Sequence, residues 1–148
     1  MKTRIVVVSP TSRIVSDVTE AFAALWPEAE LSQLVDDTIY QDVFGRGTGL
    51  SPAIEARVLA LLRHGAAAGA DAMMFTGSVF GALIERLRGE LPVPVVTSSE
   101  GLIEEAFAGG RRFGVLATVA QSIADLERDM ARHAGRRGRT WTATRHVA

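Results

Sequence analysis

Cysteine is absent from this sequence of 148 residues. The chain can therefore form no disulfide, no thiolate metal site and no iron–sulfur cluster, and it has no cysteine that could act as a nucleophile or base. Only three histidines are present. None of them stands in a metal-ligand spacing such as HExxH, so we expect no zinc site.

The chain also has little net charge and no long apolar run. Sixteen basic and seventeen acidic residues give a formal net charge of −1, which offers no electrostatic case for binding nucleic acid or an anionic membrane. The best apolar runs, residues 5–8 and 66–75, are too short or too interrupted to span a bilayer. The apolar run after the first four residues is also too brief for a signal peptide. We therefore expect a cytoplasmic protein.

Strand-like and helix-like patterns alternate along the whole chain. This alternation predicts an α/β protein of three αβα layers, with a mainly parallel sheet covered on both faces. Residues 36–50 hold three glycines and no sustained period, and they predict a long loop. Predicted strands are residues 4–9, 29–35, 70–76, 93–97, 113–118 and 140–147. Predicted helices are residues 12–26, 51 to Gly65 or Gly69, 79–91, 100–108 and 122–134.

Hydroxyl-rich turns follow four of the predicted strands, at residues 9–12, 76–79, 97–100 and 118–122. Ligands of open parallel sheets bind beyond the carboxyl ends of the strands. Each turn also opens a predicted helix, whose N-terminal amides can surround an anion. For any single turn, simple helix capping by Ser or Thr is the better interpretation. Four such turns at one edge favour a site for a small carboxylate or phosphate.

The central stretch of the chain carries a family resemblance. Residues 69–81, GADAMMFTGSVFG, resemble the core motif of the Asp/Glu/hydantoin racemase superfamily, in which GADA and an apolar run precede T-C-S-A-F-G. Residues 92–96, PVPVV, and 111–118, RRFGVLAT, are similar to the next two strands of the family in order and spacing. The resemblance covers nearly all of the chain, and the collinearity of the motifs makes it specific.

The resemblance implies a fold and a chemistry. Family members use no cofactor, and two pseudo-symmetric α/β lobes hold the substrate carboxylate between them. Two cysteines, one per lobe, remove and return the proton at the α-carbon. Here the resemblance implies a first lobe at residues 1–97 and part of a second lobe at 98–148. Hydroxyls and turn amides would bind the substrate, and the residues so implied are Ser9, Thr11, Thr76, Gly77, Ser78, Thr118 and Val119.

The sequence departs from the family pattern at both cysteines. Gly77 stands where the first-lobe cysteine is found, so the first base position is vacant. Similar proteins continue for about half a domain beyond Ala148, in a part that would carry the second cysteine. Racemisation by two thiols cannot run on this chain as written. Three explanations are open: a natural truncation or pseudo-enzyme, a fragment of a longer protein, or a site completed by a partner.

These departures leave several functions open. The first is cofactor-free proton transfer beside a carboxylate or carbonyl, impaired by the loss of the thiols. The second resembles arylmalonate decarboxylases, which also carry glycine at the position of Gly77 but keep the second-lobe cysteine as proton donor. A third is a non-catalytic protein that binds a small carboxylate. A flavodoxin-like phosphate or flavin binder that uses residues 9–12 is the least favoured. We expect a small carboxylate or hydantoin-type ligand, and a homo-oligomer.

The predicted loop contains two groups of residues that could contact a ligand. Its three glycines, at residues 45, 47 and 49, lack the dinucleotide-binding spacing. The family resemblance places them near the entrance of the site, where we interpret them as a flexible flap. Asp36 and Asp37 could contact a substrate amine, but capping of the loop is the slightly favoured interpretation.

The C-terminal segment, residues 128–145, contains six arginines against a single aspartate. Such a cluster could bind nucleic acid or an acidic partner. No series of aromatic residues accompanies it, however, so a solvated helix face is the preferred interpretation. Trp141 either packs against the sheet or lies on an open apolar edge, and such an edge would favour dimerisation.

Overall fold

The computed structural model describes residues 2–117 and 120–147. Its strands are β1 (Arg4–Ser9), β2 (Glu30–Val35), β3 (Ala72–Phe75), β4 (Val95–Thr97), β5 (Arg112–Ala117) and β6 (Thr142–Val147). Its α-helices are α1 (Val15–Leu25), α2 (Asp37–Tyr40), α3 (Pro52–Ala67), α4 (Gly81–Leu87), α5 (Ser98–Gly109) and α6 (Ala120–Arg136). Short 3₁₀ turns occupy Ser12–Ile14, Ser78–Phe80 and Arg88–Glu90, and a π-helical turn occupies Gln41–Gly45.

The described strands form two parallel sheets. Four of them form one sheet in the order β2-β1-β3-β4, and β5 pairs with β6 in a second sheet. The prediction of an α/β fold with mainly parallel strands is confirmed. We call the first sheet with α1 to α4 the first unit, and β5 and β6 with α5 and α6 the second unit. The predicted lobe boundary between residues 97 and 98 stays a prediction.

Close packing of α3 on the first sheet fixes the core of the first unit. Ser51 caps the helix by accepting a hydrogen bond from the Ile54 amide, and Pro52 occupies the first turn. At Gly65 a Cβ atom would come within 2.8 Å of the Met73 sulfur, so glycine lets the helix approach the sheet closely. The helix therefore continues through Gly65, and it ends before Gly69, which has a φ of 87°.

The predicted loop at residues 36–50 is wrong in its first half, where α2 and the π-helical turn form. Ile39 and Val43, four residues apart, are buried in the core of the first unit. Two apolar residues four positions apart are too few to be recognised in the sequence as a helical period. Asp36 caps α2 by accepting from the Thr38 amide, and the Asp37 carboxylate accepts from the Ser12 amide at 2.6 Å. The capping interpretation is confirmed for Asp36, whereas Asp37 holds the turn after β1 instead of its own segment.

Hydrogen bonds perturb the pKa of both aspartates. Partial burial opposes the change at Asp36, but hydrogen bonds from Thr38 and Arg57 lower the pKa of its carboxyl. The backbone hydrogen bond from Ser12 lowers the pKa of Asp37. Both groups are therefore held as carboxylates that anchor the turns around them.

The second unit has a small core of its own between α5, α6 and β5. Trp141 packs against it, with its ring centroid 6.5 Å from that of Phe113, so it lies on the sheet rather than in solvent. The buried residues of this core are Ile103, Phe107, Val115, Ile123, Met130 and Ala134. Among the described residues no helix combines the length and the apolar character needed to cross a bilayer.

Five of the six arginines of the C-terminal segment form ion pairs with carboxylates of this chain. Arg136 contacts Glu85 of α4 at 2.9 Å, and Arg137 pairs with Glu104 of α5. Further pairs join Arg128 to Asp125, Arg132 to Asp129 and Glu85, and Arg145 to Glu127. The interpretation of these arginines as a merely solvated face is therefore incomplete, because they fasten α6 to both units.

Candidate functional site

A cavity of about 280 Å³ lies where the turns after β1 and β3 meet the start of α6. Two units contribute to its wall, because α6 belongs to the second unit and the other lining segments to the first. Its lining residues are Pro10, Thr11, Ile14, Tyr40, Phe44, Thr76, Gly77, Ser78, Val79, Phe80, Gln121, Ser122 and Asp125. The cavity thus lies at the carboxyl end of the first sheet, where ligands of such folds bind.

The structure brings together some of the residues predicted to bind a ligand. Thr11, Thr76, Gly77 and Ser78 all line the cavity. Ser9 does not line it, because the side chain is fully buried at the end of β1. The predicted residues Thr118 and Val119 lie outside the described part of the chain.

The turn after β4 contributes no residue to the lining of this cavity. Thr97 and Glu100 form a capping box at the start of α5, in which the Glu100 carboxylate accepts from the Thr97 amide at 2.7 Å. The Ser99 hydroxyl donates to Asp129 of α6 at 2.7 Å. The capping interpretation is therefore correct for Thr97, whereas Ser99 joins α5 to α6.

Thr76 presents a buried polar atom beside the cavity. Its backbone amide donates to Val8, which extends the pairing of β3 with β1 by one residue. The residue is 3% exposed, and its Oγ1 has no hydrogen-bond partner among the described residues. An unpaired buried hydroxyl costs about 1–3 kcal/mol, so such atoms are rare in folded proteins. Thr76 is thus a residue of the cavity lining whose hydroxyl is not used by the described residues.

The turn at Gly77 is built around glycine. Gly77 has a φ of 101° and a ψ of 111°, a backbone conformation that residues with side chains rarely adopt. A Cβ atom there would lie 3.1 Å from Phe80 Cδ2 and 3.4 Å from Pro10 Cγ. A cysteine at this position would therefore be strained in the present turn.

Two aromatic rings form an apolar wall that the sequence patterns did not predict. The ring centroids of Tyr40 and Phe44 are 4.6 Å apart, and the guanidinium of Arg13 lies 5.8 Å from the Tyr40 centroid. Both rings come from the helical turns that were predicted as loop. Gly47 and Gly49, with φ values of 66° and 60°, follow this wall directly. Their role as a flap stays a prediction.

Asp125 is the second feature that sequence reasoning missed. Its side chain is 5% exposed, and its Oδ1 accepts hydrogen bonds from Gln121 at 3.0 Å and from Arg128. It is the charged residue among the described cavity lining. An aspartate inside an amphipathic helix ordinarily belongs to the solvated face. The available signal was the repeat of Asp125 and Asp129 four residues apart, each three residues before an arginine.

Asp129 lies one turn further along α6 and is buried against α4. Burial raises the pKa of its carboxyl, although the Ser99 hydroxyl and Arg132 oppose the change. A Cβ at Gly81 would come within 2.7 Å of Asp129 Oδ1, so glycine allows the close contact of α4 with α6. Within residues 2–117 and 120–147, no three His, Asp or Glu side chains gather as metal ligands do.

A parallel sheet with its cavity at the carboxyl strand ends defines a large class of α/β proteins that bind small molecules. Within that class, residues 5–144 match the family model of Asp/Glu/hydantoin racemase. The chain therefore belongs to this family. A comparison with curated protein sequences gives no match.

The chain is also similar to solved structures. One crystal structure of arylmalonate decarboxylase aligns with a TM-score of 0.60 and 17% identity, covering 98% of this chain and 60% of the other. Unliganded arylmalonate decarboxylase gives a TM-score of 0.58 and 19% identity, covering 99% and 64%. Maleate isomerase Iso from Pseudomonas putida S16 aligns with a TM-score of 0.56 and 15% identity, and the alignment covers 99% of this chain and 64% of the other. This chain thus spans less than two thirds of the length of these structures, and the likeness concerns the fold.

Proposed function

We propose that this chain binds a small carbonyl or carboxylate compound in the cavity beside Thr76, and that its chemistry is proton transfer at the adjacent carbon without a cofactor. The observation that carries the proposal is that Thr76, a residue of the cavity lining, has a buried Oγ1 without a hydrogen-bond partner among the described residues. Membership of the Asp/Glu/hydantoin racemase family supports it. A cytoplasmic location and a homo-oligomeric state stay predictions.

Neutral hydrogen-bond donors would hold the ligand oxygen. Three residues of the cavity lining carry hydroxyl groups, namely Thr11, Thr76 and Ser78. Donors that are fixed in advance stabilise negative charge that develops on a carbonyl oxygen when a neighbouring proton leaves. The aromatic wall of Tyr40 and Phe44 would cover an apolar substituent of the same ligand.

The absence of cysteine limits which reaction can follow. Without thiols, the two-base racemisation of the family cannot run on the residues of this chain. Arylmalonate decarboxylase is similar in fold, and a decarboxylase-like reaction is a second candidate because Gly77 occupies the first cysteine position. A third candidate is binding without chemistry.

The first experiment separates binding from chemistry. The protein is incubated in heavy water with aspartate, glutamate, 5-substituted hydantoins and arylmalonates. NMR follows the disappearance of the α-proton signal and the conversion of the substrate to the product that has released CO₂. Thermal unfolding of the same mixtures reports binding, because a ligand that binds only the folded state raises Tm. Stabilisation with proton exchange supports the proposal, and stabilisation without either reaction favours the binding protein.

Two matched variants test the place of binding. Thr76→Val keeps the shape of the side chain but removes the hydroxyl, so we expect it to lose most of the ligand-induced rise in Tm. Ser9→Ala is the control, because Ser9 Oγ is also buried and without a partner among the described residues but does not line the cavity. An equal loss in both variants, or in neither, contradicts binding beside Thr76.

A further inference from the structure

The described lining of the cavity offers few groups that can move a proton. Its ionisable side chains are Asp125 and Tyr40. Lysine and histidine are absent from this lining, and cysteine is absent from the whole chain. Proton transfer by the side chains that the structure places here must therefore use the carboxylate or the phenol.

Hydrogen bonds from two neighbouring side chains hold the Asp125 carboxylate in place, as is typical of a catalytic base. Gln121, one helical turn earlier, and Arg128, almost one turn later, both donate to Oδ1. The hydrogen bonds that the described residues make to this carboxylate end on that oxygen, which leaves Oδ2 to accept a proton. Tyr40, by contrast, is 37% exposed and packs its ring between Phe44 and Arg13.

We propose that Asp125 takes up and returns the substrate proton in place of the missing thiols, and that the substrate presents a neutral carbonyl, as a hydantoin ring does, rather than a free carboxylate. This inference rests on the proposed function, because it needs the ligand oxygen beside Thr76.

The preference for a neutral carbonyl follows from charge. A carboxylate is a much weaker base than a thiolate, so the proton it removes must be comparatively acidic. A neutral carbonyl acidifies its neighbouring C–H more than a carboxylate does, because its enolate carries one negative charge rather than two. No Arg or Lys is part of the described cavity lining. Neutral hydroxyl donors therefore match the single negative charge of the enolate that a neutral carbonyl forms.

The step can be written in full. Asp125 Oδ2 forms an O–H bond with the α-proton while the C–H bond breaks. The electron pair of that bond forms the new C=C bond, and the carbonyl π electrons move to the oxygen, which accepts a hydrogen bond from Thr76 Oγ1. In heavy water the carboxylic acid exchanges its proton for a deuteron and returns it to the same face. A single base therefore gives exchange with retention of configuration.

The test uses the full chain, L-5-benzylhydantoin and L-phenylalanine in heavy water near neutral pD, with the rate without protein subtracted. NMR follows α-proton loss, polarimetry follows racemisation, and thermal unfolding follows binding. We expect exchange of the hydantoin, faster than its loss of optical rotation, and no exchange of phenylalanine. Exchange of phenylalanine alone would overturn the choice of substrate.

Asp125→Asn tests the base. General acid–base groups contribute about 100-fold or more, so we expect at least about a 100-fold loss of exchange, while the hydantoin still raises Tm. Asp129→Asn is the matched control, because Asp129 lies on the same helix and also pairs with an arginine three residues later, but is not part of the cavity lining. It should retain exchange.

Several results would overturn the inference. Exchange by Asp125→Asn within a few-fold of the parent excludes this carboxylate as the base. Exchange that survives Asp125→Asn but disappears in Tyr40→Phe assigns the proton to the phenol. A parent that binds the hydantoin without exchanging it overturns the role of Asp125 and leaves the binding site intact. A parent that neither binds nor exchanges any compound overturns the proposed function as well.

Discussion

The two units of the molecule contain the same connection, a strand, a helix and a returning parallel strand, but they are stabilised in different ways. In the first unit β1 lies between β2 and β3, and Ile5 to Ser9 are all buried. In the second unit β5 pairs with β6, and Val115 is the buried residue of the six in that strand. Leu116 at its end is 66% exposed.

In the helices the difference in burial is reversed, because the connecting helix of the second unit is the more buried one. No residue of α1 is buried, whereas α6 buries apolar Ile123 and Met130 together with Asp125, Asp129 and His133. The first unit therefore depends on its sheet and on α3, and the second unit depends on α6. Because α6 also forms one wall of the cavity, the geometry of the site depends on how firmly this helix is held.

The largest expected effect comes from removing a core ring of the first unit. Phe75 is fully buried and packs against Phe80 at a centroid distance of 5.1 Å. We expect Phe75→Ala to lower the free energy of unfolding by about 3–5 kcal/mol, as deletions of buried aromatic rings do. Amide hydrogen exchange should show faster opening of β1.

Phe113→Ala in β5 is the matched variant in the second unit. The Phe113 ring is only partly buried, so we expect a smaller loss, with faster exchange in β5 and unchanged protection in β1. Equal acceleration of both strands by either variant would mean that the two units open together, and the comparison between them would then fail.

An intermediate effect is expected at the contact between the units. A Cβ at Gly81 would lie 2.7 and 2.8 Å from the carboxylate oxygens of Asp129, which is buried and paired with Arg132. We expect Gly81→Ala to cost about 1–3 kcal/mol, as overpacking does, and to weaken ligand binding by displacing α6. Gly89→Ala meets no atom within 4 Å and is the control. Equal denaturant midpoints for the two variants would contradict close packing here.

The smallest effect depends on pH. Burial and the positive charge of Arg137 lower the pKa of His133 below its usual 6.5, although Glu104 opposes the change and Arg136 and Arg139 add to it. When the pH falls below 6.5, the unfolded chain takes up a proton that folded His133 does not yet accept. Stability is therefore lost from about pH 6.5 down to the lowered pKa and then levels off.

His133→Phe tests this pH dependence. Phenylalanine keeps an aromatic ring against Phe107, which stacks on His133 at 5.4 Å, but it cannot be protonated. Urea midpoints measured between pH 7.5 and 5 should fall less steeply for His133→Phe than for the parent. Parallel curves would show that His133 does not contribute to the pH dependence of the second unit.

The sequence predicted most of the fold because its apolar patterns are long. The run RIVVVS at residues 4–9 predicted β1, and the period from Ile54 to Leu62 predicted α3. The prediction of a loop at residues 36–50 failed for a physical reason. Ile39 and Val43 bury one face of a short helical segment, and in the sequence the three nearby glycines outweigh this pattern. Burial in the core stabilises the segment, together with the cap at Asp36.

The candidate site was predictable only where it follows strand ends. Thr11, Thr76 and Ser78 line the cavity as the strand-end rule implies, although their binding roles stay predictions. Ser9 also stands at a strand end, but its side chain is buried at the end of β1 and does not line the cavity. Asp125 does not follow a strand end. Its place in the cavity depends on how α6 docks against α4, a long-range contact that the repeat with Asp129 does not encode by itself.

The conformation of Gly77 has a consequence for any attempt to introduce a thiol at this position. The order of substitutions becomes decisive, because a cysteine introduced first would meet Phe80 and Pro10 and an unfavourable φ of 101°. The neighbouring turn must therefore be relaxed before the thiol is added. A single substitution at position 77 is therefore not enough to introduce a thiol there without strain.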